Sequence, residues 1–269
     1  MAITTHWLPY HLQLHSGLRS LQPCNPSGRY VVLLRARDAK GEILQEHRLN
    51  HGDPITGASY LHLDFSVLEA SMTKAVAGLV EATFSSEEPF AADGYNYYIG
   101  LRGFTLFANG PQLAFNQSNK PHRYRGFSVH LIDPAVQTCG LVLMNVSTDL
   151  HYSRAASFQY EVLDKKGEIV QAGSREILPF GTCWLPIEES VLRNHKETMV
   201  TMFGRCEGSA LISLIYNASE GGGIGIDHTA PAVFQSAYGE DMTPGLRHRY
   251  LRMRERLNRK MRYCLNRFE

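Results

Sequence analysis

Asp38-Ala39-Lys40-Gly41-Glu42-Ile43-Leu44-Gln45 returns as Asp164-Lys165-Lys166-Gly167-Glu168-Ile169-Val170-Gln171, identical at six of eight positions. A second matching block follows in each copy. Gly57, Leu61, Ser66, Val67 and Leu68 recur as Gly181, Leu185, Ser190, Val191 and Leu192; Tyr60, Leu63 and Asp64 recur conservatively as Trp184, Ile187 and Glu188. Residue 164 against 38, and 181 against 57, give offsets of 126 and 124. A period of that length is the size of a domain and far exceeds a solenoid repeat. The chain therefore reads as an internal duplication followed by a tail.

Each copy reads as strand-rich. Phe158, Tyr160 and Val162 alternate with Gln159 and Glu161, the period of a half-buried strand, and the more apolar Tyr30–Leu34 is its counterpart in the first copy. Each of these strands runs into Asp-x-Lys-Gly-Glu, where glycine can take positive φ and close a short hairpin. Ser66-Val67-Leu68 and Ser190-Val191-Leu192 read as single helical turns. Further strands are expected at 76–84, 95–108, 125–132, 140–146, 198–206 and 209–217. Short strands separated by turn signals fit an antiparallel sandwich, and the whole resembles immunoglobulin-like sandwich modules.

Composition is that of a globular chain. Its 269 residues are 43% hydrophobic and 20% charged, with a net charge of +1, which argues against disorder and leaves room for two cores. No run of about 18 apolar residues exists, so no membrane span is expected. The N-terminal Met1-Ala2-Ile3-Thr4-Thr5 lacks the basic and apolar regions of a secretory signal. Five cysteines at 24, 139, 183, 206 and 264 form no Cys-x-x-Cys pair and suit free thiols in a reducing compartment. A cytoplasmic location is the expectation. Asn145-Val146-Ser147 fits the glycosylation pattern, which carries no weight without a signal.

Residues 243–269 differ in kind. Nine basic residues (Arg247, Arg249, Arg252, Arg254, Arg256, Arg259, Lys260, Arg262, Arg267) face only Glu255 and Glu269, a balance of +7, while the rest of the chain carries −6. Thr243 can cap and Pro244 suits a first turn. Leu246, Tyr250, Met253, Leu257, Met261, Cys264 and Phe268 then form one apolar stripe of an amphipathic helix. Arg247, Arg252, Arg256, Arg259 and Lys260 are the candidates for docking to an acidic partner, either nucleic acid or an anionic membrane surface. The plainer alternative is packing of the stripe on a sandwich or on a sister tail.

Candidate binding residues are few. Gly94-Tyr95-Asn96-Tyr97-Tyr98-Ile99-Gly100 is the densest aromatic stretch; core packing explains one face of such a strand, and an exposed tyrosine face could anchor a partner. The glycine-rich segment 220–231 fails the dinucleotide and phosphate-loop patterns and reads as a flexible turn. Asp227 and His228 within it, with Glu240 and Asp241 downstream, are candidate metal ligands. His11, Gln13 and His15 would share an exposed strand face. No catalytic signature is present, and no cofactor is implied.

The expected architecture is all-β: two tandem antiparallel β-sandwiches at 1–121 and 122–242, then the basic helix at 243–269. The expected role is a non-catalytic binding or adaptor protein that meets a protein partner near Tyr95, Tyr97 and Tyr98 or near Asp227 and His228, with self-association or acidic-partner docking through the tail. The alternative is a metal-binding protein or enzyme centred on Asp227 and His228.

Overall fold

The computed structural model describes residues 2–14, 17–23, 30–51, 60–86, 94–100, 103–109, 122–131, 136–196, 198, 200–208, 211–219, 222–228 and 231–232. Strands β1 (Ala2–His11), β2 (Gly17–Pro23), β3 (Tyr30–Asp38), β4 (Ile43–His51), β5 (Tyr60–Asp64), β6 (Ala77–Ser86), β7 (Gly94–Gly100) and β8 (Gly103–Asn109) make the first half. Strands β9 (His122–Leu131), β10 (Val136–Met144), β11 (Ala156–Leu163), β12 (Ile169–Ile177), β13 (Thr182–Pro186), β14 (Val200–Gly208), β15 (Ile212–Ser219), β16 (Ile224–His228) and β17 (Pro231–Ala232) make the second. A 3-10 turn at Phe65–Leu68 runs into α1 (Glu69–Met72), and α2 spans Glu189–Asn194.

These strands form four sheets, each pair of neighbours antiparallel wherever its register is described. Sheet 1 runs β4-β3-β6-β1 and sheet 2 runs β5-β2-β7-β8. Sheet 3 runs β12-β11-β14-β9, with β17 at its edge, and sheet 4 runs β13-β10-β15-β16. Sheets 3 and 4 thus repeat the order of sheets 1 and 2, each strand replaced by the one eight places later. The protein is mostly β, with sheets consistent with two sandwiches. The segment 110–121, where the sequence places the boundary between them, and the tail 243–269 lie outside the described residues.

The two Asp-x-Lys-Gly-Glu turns match bond for bond. Asp38 Oδ1 accepts from the N–H of Lys40 and Glu42, both at 2.9 Å. Asp164 Oδ1 accepts from Lys166 at 2.8 Å and Glu168 at 2.9 Å. Gly41 and Gly167 sit at φ +93° and +82°, where a side chain would be strained. Alternation then builds the cores. Tyr30, Val32, Leu34 and Ala36 of β3 are buried, as are Ala156, Phe158, Tyr160 and Val162 of β11, while Ser157, Gln159 and Glu161 face water. Each large apolar side chain so covered is worth about 2 kcal/mol.

Sheet 4 is buried on both faces. Leu141, Leu143 and Leu185 belong to the second core, whereas Val142, Met144, Leu214, Tyr216, Ile224 and Ile226 join a cluster with first-half residues such as Trp7, Leu34 and Phe84. The joint between the halves is specific. The Trp184 ring lies 5.2 Å from His11 and 5.0 Å from Tyr216, and the Thr182 N–H donates to the Ala39 carbonyl at 3.1 Å. Phe180 packs 6.0 Å from Trp7, and the Arg37 guanidinium lies 4.7 Å over its ring, a contact worth about 2 kcal/mol when desolvated. Phe180 holds φ +58°, a conformation costing about 1 kcal/mol or more. Fully buried Asn145 enforces it: its carbonyl accepts from Phe180 N at 2.7 Å, its Nδ2 donates to the Arg154 and Ile177 carbonyls at 2.8 and 2.9 Å, and its Oδ1 accepts from Tyr152 at 2.7 Å. A residue matching a glycosylation pattern is thus an internal strut.

Arg37 does not enter this joint as a bare charge. Its Nε and Nη2 donate to Glu81 Oε2 at 3.0 and 2.9 Å, and its Nη1 to the Gly41 carbonyl at 2.8 Å. Arg35 bridges Glu81 and Glu46 at 2.8 and 2.7 Å. Glu81 is only 2% exposed, so the two arginines are what make its burial tolerable.

Three expectations need correction. The span 95–108 is two strands, β7 and β8. The His11–His15 segment is not one strand, because β1 ends at His11 and residues 12–14 turn; His11 is half-buried against Trp184, and burial lowers its pKa. The glycine-rich segment closes a tight hairpin, with Gly222 N–H donating to Ser219 O at 2.9 Å and Ser219 N–H to Gly223 O at 3.0 Å, and residues 224–228 are strand β16, with Ile224 and Ile226 buried.

Candidate functional site

A cleft of about 220 Å³ opens at one end of the first half, lined by Leu12, Gly17, Leu18, Asp64, Phe65, Ser66, Glu69, Met72, Thr73 and Ile99. Local chemistry shapes it. Asp64 ends β5 and its Oδ1 accepts from Ser66 N–H at 2.9 Å, starting the 3-10 turn. That turn buries Phe65 and Leu68, and α1 buries Met72. Thr73 closes α1 by donating its hydroxyl to the Ala70 carbonyl at 2.9 Å. Gln45 anchors the turn from β4, its Nε2 donating to Val67 O at 3.2 Å.

The floor is therefore apolar (Leu18, Phe65, Met72) and the rim polar, with Asp64, Ser66, Glu69 and Thr73 exposed. Among the described residues the lining holds two carboxylates, Asp64 and Glu69, and the strand register pairs Asp64 with Arg19 of β2. The cleft's volume falls below the roughly 300 Å³ at which pockets for drug-sized ligands begin, so a single side chain or small amine matches its size. The matching positions of the second half differ. There Glu188, Ser190 and Arg193 replace Asp64, Ser66 and Glu69, and Arg193 pairs with Glu189 at 2.6 Å.

The residues singled out from the sequence fall in different places. Tyr98 is fully buried in the first core, and burial raises the pKa of its phenol; it serves packing. Tyr95 and Tyr97 precede it in β7, on the opposite face of sheet 2 by strand alternation, with side chains outside the described residues. Ile99, on the same strand, lines the cleft. Asp227 and His228 lie in β16, paired with Ile215 and Leu214; as strand neighbours they belong to opposite faces, and their side chains are also outside the described residues. Among the described residues no group of three or more potential metal ligands gathers, and no helix is long and apolar enough to cross a membrane. Arg247, Arg252, Arg256, Arg259 and Lys260 lie outside the described residues. The cleft residues Asp64, Phe65, Glu69 and Met72 were not legible as a site. Asp64 and Ser66 stood in the repeated block, but its likeness to Glu188–Ser190 points to architecture rather than to binding.

No family model matches the chain, and no curated protein does. Among solved structures, two of a glycosyl hydrolase family 2 member from Bacteroides cellulosilyticus align at 9% identity each. The alignments cover 85% and 80% of this chain but only 28% and 24% of theirs, with TM-scores of 0.15. Likeness at that level supports no statement about fold or activity.

Proposed function

We propose that the chain is a non-catalytic binding protein in which two immunoglobulin-like sandwiches, arisen by duplication and spanning 1–121 and 122–242, act as one rigid scaffold. The acidic-rimmed cleft takes a cationic group, a lysine or arginine side chain of a partner protein. What supports this reading is an apolar floor beneath two rim carboxylates, Asp64 and Glu69, among the described residues. What supports a fixed joint is the contact of Arg37 with Phe180 and of His11 with Trp184 between the two halves.

The test uses N-acetyl-lysinamide as probe, followed by NMR at the Met72 methyl. A saturable shift that is lost in Asp64→Asn/Glu69→Gln and unchanged in Arg193→Gln supports the reading. No saturable shift removes it.

A second reading rests on the +7 charge of residues 243–269, which suits docking to nucleic acid or an anionic membrane surface. Four phosphate contacts would give a log–log salt slope of about −3.6 on duplex DNA. Binding of the full chain that ignores salt, or persists in a version ending at Met242, rules it out.

A further inference from the structure

We draw no further inference here: the strongest candidate, the ring cluster of His11, Trp184 and Tyr216 in the joint between the two halves, carries nothing because an acid-sensitive contact there would rest on the burial-lowered pKa of His11 alone.

Discussion

The turns at Asp38–Glu42 and Asp164–Glu168 have the same hydrogen bonds and the same left-handed glycine, yet one packs its glycine into a joint and the other stands in water. Gly41 is buried and Gly167 exposed. The difference shows that the turn's conformation is a local property and its docking is not. Four residues determine the hairpin in both copies. What packs on it depends on Phe180 and Gly181 more than 130 residues away, and on Glu81 rather than Phe203 at the matching position of the neighbouring strand.

The largest expected effect falls on that polar difference. Glu81→Ala takes the carboxylate from buried Arg37 and leaves Arg35 with Glu46 alone, and should cost about 3 kcal/mol in urea unfolding. Glu161→Ala, on the matching exposed face, should change stability by less than about 0.5 kcal/mol. Equal losses would mean the joint is not what distinguishes the two copies.

Next comes the turn itself. Gly41→Ala combines positive φ with a collision against the Pro179 carbonyl and should cost about 3 kcal/mol or more. Gly167→Ala meets open space and should cost about 1 kcal/mol, the conformational part alone. Thermal melts of the pair separate docking from turn geometry, and similar melts would break the comparison.

Acid sharpens it in the cores. His6 is 4% exposed, lies 5.6 Å from the Phe84 ring, and burial lowers its pKa to about 4. The register puts Phe127 at the matching position of the second sandwich. Between pH 6.5 and 4 the unfolded chain binds this proton and the folded chain does not. Stability is therefore present above pH 6.5 and is lost as pH falls, by roughly 3 kcal/mol at pH 4. His6→Phe should flatten that part of the unfolding free energy against pH, and a slope identical to the unaltered chain would contradict the assignment.

The smallest effect concerns the two helical turns. Gln171 holds the second through Glu188 N–H at 2.9 Å and Pro186 O at 3.3 Å, whereas Gln45 holds the first through one bond. Gln171→Ala should cost about 1 kcal/mol and Gln45→Ala about half that, readable as a difference in urea midpoint.

Much of the fold was legible because its signals are local. Alternation in Phe158–Val162, the glycine at 41 and 167, and the Ser-Val-Leu turns each report on neighbours within a few residues. Strand β16 was not, because Gly223 and Gly225 disguise Ile224 and Ile226, whose burial comes from a cluster shared with the first sandwich. His11 was misplaced for a related reason: an alternating pattern continues through Leu12 and Leu14, but the backbone turns there.

The sequence by itself determined the repeat, the β architecture and the atomic form of its turns, since those follow from chain-local sterics and from a period shared by two copies. Only the tertiary structure decided that sheet 4 is buried on both faces, that Asn145 is a strut for a left-handed Phe180, and that Asp64 and Glu69 rim one cleft. Those outcomes need residues distant in the chain to meet, and the free energy of such a meeting is set by shape and charge on both sides of the contact, which neither partner's local sequence records.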